Sequence, residues 1–215
     1  MNKSSIPYLK RQFEFSLPGT EAQTLMSPIS NSEKYRQPTV DYKTACVMAL
    51  LHPKDEELFV TFIKRAASHP DDKHAGQIGF PGGKFEEDDQ SLEMCALRET
   101  EEEIGVNGSD IEILGELSSL FVFASNFLVH PFVGYLDYTP KYTPQVEEVA
   151  GILEVPLQTL VDPSYKISRK VRLSEGFSLD APGYNINGDF LWGATAMISS
   201  ELENILGKVN AHNYI

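Results

Sequence analysis

Three glutamates, Glu99, Glu102 and Glu103, stand at i, i+3 and i+4 in the run Arg98-Glu99-Thr100-Glu101-Glu102-Glu103-Ile104-Gly105. On a helix that spacing gathers the three carboxylates on one arc. Like charges so placed repel by roughly 0.2–0.5 kcal/mol per pair on an exposed helix. They also lie toward the helix C-terminus, where the backbone dipole disfavours anions. A divalent cation would remove the conflict, and an all-oxygen ligand set suits Mg²⁺ or Mn²⁺. The competing reading is an acidic, solvated face on an acidic protein. The nearby Gly82-Gly83 pair favours the first, because a glycine backbone can approach closely and Gly83 can offer a carbonyl to the same ion.

The elements that must position these groups follow from patterning. Asp89 to Ile104 reads as a helix, capped by Asp88 or Asp89 and stopped by Gly105. Leu92, Ala96, Thr100 and Ile104 form a mostly apolar ridge along it, fit to pack on a sheet. Tyr42–Leu51 and Leu58–Ile63 are strand-like, with the polar turn His52-Pro-Lys-Asp-Glu56 between them. Residues 66–84, rich in Gly, His and Pro, are too long for an idle connection. Further strands are expected at 111–117, 127–136 and 165–173. Val146 to Leu160 looks helical until Pro156 interrupts it, and a last helix follows Trp192-Gly-Ala194 to about Leu206. Residues 1–40 read as an N-terminal arm with a short helix near Glu21–Met26, and 41–215 as the domain proper. Helices and strands interleave without regular βαβ repeats, which favours a mixed sheet flanked by helices.

Composition narrows the class. The 215 residues carry a formal charge of −13, with 41% hydrophobic and 23% charged residues. Such a chain buries a core and is not a disordered acidic tail. No apolar run suits a membrane helix, and the start lacks a secretory h-region. Cys46 and Cys95, the two cysteines, form no CxxC, so neither a disulfide scaffold nor a zinc site is expected. A reducing, cytoplasmic setting is. The negative charge also argues against non-specific nucleic-acid binding.

From Gly83 onward the chain resembles the Nudix box, G-x5-E-x7-R-E-U-x-E-E-x-G-U, where U is a bulky apolar residue. The second half matches over Arg98 to Val106, with Thr100 at an apolar position. The first half departs: Asp89 replaces Glu, and eight residues separate it from Arg98. Upstream, Phe62-Ile63-Lys64-Arg65 and His74-Ala75-Gly76-Gln77-Ile78-Gly79-Phe80-Pro81-Gly82-Gly83 are similar to the signature of the coenzyme A pyrophosphatases. The lengthened box is also associated with that subfamily. The likeness continues through Glu148-Val149, Val155-Pro156-Leu157 and Trp192–Ala196, and so covers about residues 40 to 207.

The resemblance implies an α/β fold, the Nudix α/β/α sandwich with a mixed sheet between helices. It implies hydrolysis of the pyrophosphate bond of CoA or a derivative, to 4′-phosphopantetheine and adenosine 3′,5′-bisphosphate. The alternatives are another nucleotide such as ADP-ribose or NADH, or a Nudix-fold module that senses a nucleotide without cleaving it. Glu99, Glu102 and Glu103, with Gly83, would hold Mg²⁺ or Mn²⁺. Arg98 would orient the glutamates, and Glu148, ahead of Glu147, would complete the site or act as base. Lys64, Arg65, Lys73 and Lys84 put basic charge around the loop of an acidic chain, and Arg65 best matches phosphate. His74, Gln77 and Phe80 would hold the loop or face the substrate. A His69–His74 metal pair is disfavoured beside the carboxylates, and Trp192 reads as core packing ahead of base stacking. The partner is a small CoA-like nucleotide, with no nucleic acid or membrane, and a homodimer is left open.

Overall fold

A computed structural model describes residues 1–28, 38, 41–67, 75–172 and 178–212. Its centre is a mixed sheet built on the hairpin of β1 (Lys43–Lys54) and β2 (Glu57–Arg65). The turn is shorter than the sequence suggests. Only Asp55 and Glu56 form it, both at positive φ (48° and 64°), as a two-residue hairpin turn requires. His52, Pro53 and Lys54 continue the strand.

Past their paired ends β1 and β2 splay apart. The glycine-rich segment fills the gap as a wedge. Its first short strand, β3 (Ile78–Gly79), pairs with Ile63 and Lys64 of β2, and its second, β4 (Gly82–Lys84), pairs with Ala45–Val47 of β1. On the far side of β1, β7 (Phe127–Tyr135) runs parallel to it, followed by β5 (Glu112–Glu116) and β6 (Leu120–Val122). β8 (Val149–Pro156) closes the other edge against β2. This segment was expected to be helical to Pro156. Pairing along the whole free edge of β2 outweighs the weak helical pattern, and the helix that does form is short, α4 (Leu157–Val161).

Helices cover both faces of the sheet, which is the expected α/β/α architecture. On one face α3 (Leu92–Ile104) buries Cys95, Ala96 and Ile104 against Cys46, Met48, Leu50 and Ile63. Thr100, also buried, is tolerated because its hydroxyl bonds back to the Ala96 carbonyl at 2.7 Å. On the other face α5 (Gly193–His212) packs Ala196, Ile198, Leu202, Ile205 and Leu206 over Leu51, Val60 and Phe62. A second sheet of β9 (Lys166–Arg172), β10 (Ser178–Ile186) and β11 (Asp189–Trp192) adds Tyr184, Ile186 and Leu191 to that core. The N-terminal helices α1 (Ile6–Gln12) and α2 (Gly19–Thr24) bury Ile6, Leu9 and Ala22. Among the described residues no helix is long and apolar enough to cross a membrane.

Candidate active site

The glutamates are presented by a helix with firm ends. Ser91, not Asp88 or Asp89, is the N-cap, accepting the Met94 N–H at 3.2 Å. Gly105 ends the helix in the left-handed region, at φ 72°. A side chain there would also run into Thr143.

Asp89 serves Arg98. Its two oxygens accept from Arg98 Nε at 2.8 Å and Nη2 at 2.9 Å, a bidentate fork. The guanidinium holds the Asp89 carboxyl down at about 2. Nη1 of the same arginine donates to Glu99 at 2.9 Å and to Glu102 at 3.0 Å, and Nη2 to the Lys84 carbonyl. Arg98 thus ties the glycine wedge to two of the three glutamates.

Glu103 is only 2% exposed, and its carboxylate accepts the Gly82 N–H at 2.8 Å. Burial pushes its pKa up to about 7. The charges of Glu99 and Glu148 push the same way, against the Gly82 N–H and the positive charge of Arg65. Glu99 is raised as well, chiefly by burial, with Glu102 and Glu148 adding and Arg98 opposing. Gly83 lies against Glu99, whose carboxylate would overlap any Cβ at that position.

Glu148 reaches this cluster on the loop of residues 136–148. That loop docks on carbonyls that a helix end leaves without partners: Thr143 N–H donates to Ile104 O at 2.9 Å and Gln145 N–H to Glu103 O at 3.0 Å. Glu148 then lies in a turn, bonding through its N–H to Gln145 O and accepting from Ala66 N–H through its carbonyl.

The other sequence candidates divide. Arg65 is close enough to Glu103 for its positive charge to oppose, in part, the effect of burial. Lys64 forms an ion pair with Asp189 of β11 at 2.9 Å. Gln77 accepts the Arg65 N–H through its backbone. Phe80, 5% exposed, tilts against Phe62 with ring centroids 4.8 Å apart, the position of a loop anchor. Trp192 is half-buried at the end of β11. His69, Lys73 and His74 lie outside the described residues. The Arg65–Glu103 and Lys64–Asp189 relations were invisible in the sequence, since no periodicity links their partners.

Among the described residues no three His, Cys, Asp or Glu side chains form a ready-made metal cage. Glu99 and Glu102 are engaged by Arg98, and Glu103 by Gly82. The donors nevertheless fit a hard cation. All are oxygens, two are desolvated and raised in proton affinity by their neighbours, and the glycine backbone lies against them.

Comparison with known proteins gives the family and the fold. Two curated relatives, from Yersinia pestis and Yersinia pseudotuberculosis, each bear the description "Uncharacterized Nudix hydrolase NudL". Each is 39% identical over 139 residues, 60% of this chain and 64% of the relative. The chain therefore matches somewhat less than two thirds of their length. Among solved structures, a Nudix hydrolase from M. smegmatis, RenU, aligns with a TM-score of 0.51 and 13% identity, over 80% of this chain and 87% of its own. A MutT/nudix family protein from Enterococcus faecalis aligns with a TM-score of 0.51 and 18% identity, over 98% and 75%. At such identities the two structures speak for the fold. The model of the NUDIX domain matches residues 42–172, more than half the chain, with both the glycine wedge and the glutamate helix inside the match, and the protein belongs to the Nudix family.

Proposed function

We propose that the chain hydrolyses the pyrophosphate bond of a nucleoside diphosphate derivative, and that its substrate is coenzyme A or a CoA derivative. One observation carries the reading. Glu99, Glu103 and Glu148 crowd together, with burial and mutual repulsion raising the proton affinity of the first two. Anions gathered beside a glycine backbone, one of them buried and one half-buried, are a poor structural device and a good cation site.

In this reading Glu99, Glu102 and Glu103, with the Gly83 carbonyl, hold Mg²⁺ or Mn²⁺. A bound divalent ion supplies neutralisation of the diphosphate and a lowered pKa for the attacking water. Glu148 would take up the proton released by the attacking water. Arg98 fixes the rotamers of Glu99 and Glu102 through its two Nη1 hydrogen bonds. Lys64, Arg65, His74 and Gln77 address the substrate, and Phe80 anchors their loop. The CoA preference is supported by the run from His74 to Gly83 and the lengthened box. A cytoplasmic setting is supported by the two free, buried thiols.

The test is a panel of CoA, 3′-dephospho-CoA, ADP-ribose and NADH, assayed with Mg²⁺ and with EDTA. CoA should be the fastest substrate and EDTA should silence the enzyme. Glu103→Gln should lose about 100-fold in turnover, on the scale of metal-site losses. A charge-assisted bond from Arg65 to the 3′-phosphate would contribute about 10- to 150-fold in kcat/KM. Arg65→Ala should therefore narrow the gap between CoA and 3′-dephospho-CoA. Equal losses on both would assign Arg65 to Glu103 or the diphosphate. Hydrolysis undiminished in EDTA would overturn the metal mechanism, and ADP-ribose ahead of CoA would overturn the substrate.

A further inference from the structure

The loop that carries Glu148 is fastened in its middle by one hydroxyl. Tyr142 packs its ring against the α3-side core. Its oxygen lies 2.8 Å from Thr61 Oγ1 and 3.2 Å from His52 Nε2. Thr61, on β2, and His52, on β1, are both fully buried.

His52 Nδ1 lies 3.3 Å from the Pro53 carbonyl, which can only accept, so Nδ1 carries the ring proton. Burial lowers the pKa of His52 and keeps the ring neutral. Nε2 is then an acceptor. Tyr142 donates to it, and the phenol oxygen accepts from Thr61. Glu154 Oε1, 3.4 Å from Nε2, forms no ion pair with a neutral ring, and its partner is Lys54 at 2.6 Å. In this arrangement Tyr142 supplies both the donor for His52 and the acceptor for Thr61.

We propose that Tyr142 is a positioning residue for the reaction, its hydroxyl latching the 136–148 loop to the β1–β2 hairpin so that Glu148 is held opposite Glu99 and Glu103. The proposal rests on the reading that Glu148 belongs to the reacting site. The route is short. From Tyr142 the chain passes directly to Thr143, bonded to Ile104 O, and Gln145, bonded to Glu103 O, and the Gln145 carbonyl accepts the N–H groups of Glu148 and Val149. Thr139, whose hydroxyl reaches the Pro53 carbonyl at 2.6 Å, holds the loop on the other side of Tyr142.

The experiment is a kinetic cycle of Tyr142→Phe, Glu148→Gln and the double variant, on the fastest substrate of the panel. Tyr142→Phe keeps the ring and removes the latch. It should lower kcat about tenfold with KM within about twofold, in the range of coupled neighbours. In the Glu148→Gln background the same change should cost less than about twofold. Thr61→Val should reproduce the loss and Thr61→Ser should restore it, and these two carry the test if Tyr142→Phe does not fold. Equal losses in both backgrounds, or no loss in the wild type, would overturn the latch alone. Full activity in Glu148→Gln would overturn the site reading, and the latch with it, before Tyr142 is touched.

Discussion

Arg98 has five N–H donors in a fixed fork, and the site uses all of them: two on Asp89, one each on Glu99, Glu102 and the Lys84 carbonyl. That single residue resolves the oddity in the motif. The extra residue between Asp89 and Arg98 leaves Asp89 within reach of the guanidinium. The glutamate triad was legible because i, i+3 and i+4 spacing is a property of any helix. The partners of Arg65 and Lys64 were not, since they meet through the sheet. The polar cluster around His52 was also hidden, because the sequence places this residue at the start of a polar turn. It is instead fully buried, with its pKa lowered chiefly by burial. The folded protein therefore binds fewer protons there than the unfolded chain, whose histidine titrates near 6.5. This stability is present above the unfolded pKa and is lost as pH falls from there through the lower folded pKa. Thermal melts from pH 7.5 down to pH 5 should show a steeper decline for the wild type than for His52→Asn. Parallel curves would mean that folding leaves the affinity of this ring for a proton unchanged.

At the scale of elements, the wedge between the splayed strands and helix α3 work as one unit. β4 places Gly82 to donate to Glu103 and Gly83 to lie against Glu99. Gly82 itself sits at φ 151°, with the Cys46 carbonyl where a Cβ would go. Sequence gave the helix nearly whole, since its ridge and its Gly105 stop are local signals. Residues 149–156 were read wrongly because a paired edge strand takes its conformation from β2, 90 or so positions away in the chain. The strands at 178–186 and 189–192 went unread for a similar reason: Ala181, Pro182 and Gly183 break the β-rich pattern that marks a strand. The unit makes a sharp prediction. Gly83→Ala forces its methyl into the Glu99 carboxylate, and a displacement of that kind can cost about 100-fold in turnover. Gly151→Ala, on β8 with open space around its Cα, should leave activity within about twofold. Melting curves accompany both. An active Gly83→Ala enzyme would show that Glu99 has room to move and that the close approach has no functional weight.

The whole molecule closes around a buried carboxylate on the side of the sheet opposite α3. Glu201, on α5, is fully buried. Its Oε1 accepts from the Gly19 N–H at 3.0 Å and the Ser118 N–H at 3.2 Å, and its Oε2 from Gln23 Nε2 at 2.9 Å. Two of these donors belong to the N-terminal arm, and the third to the turn between β5 and β6. Gln23 also donates to the Ser118 carbonyl, and Ser200 on α5 to the Ala22 carbonyl. Composition marked residues 1–40 as an arm because their pattern is broken by polar stretches and prolines. It could not show that a carboxylate on the last helix depends on them. A buried ion that loses its partners costs roughly 3–5 kcal/mol, and for a domain of this size each kcal/mol shifts Tm by about 2–4 °C. A fragment of residues 41–215 should therefore melt roughly 10 °C below the full chain. Its further loss of Ile6, Leu9 and Met26 from the core acts in the same direction. Glu201→Gln separates the two causes. In the full chain it weakens charge-assisted bonds and should lower Tm. In the fragment it removes a stranded charge and should raise it. A fragment that melts with the full chain would make the arm an appendage, and a Glu201→Gln change of the same sign in both would show that the lost apolar packing, not the carboxylate, ties the arm to the fold.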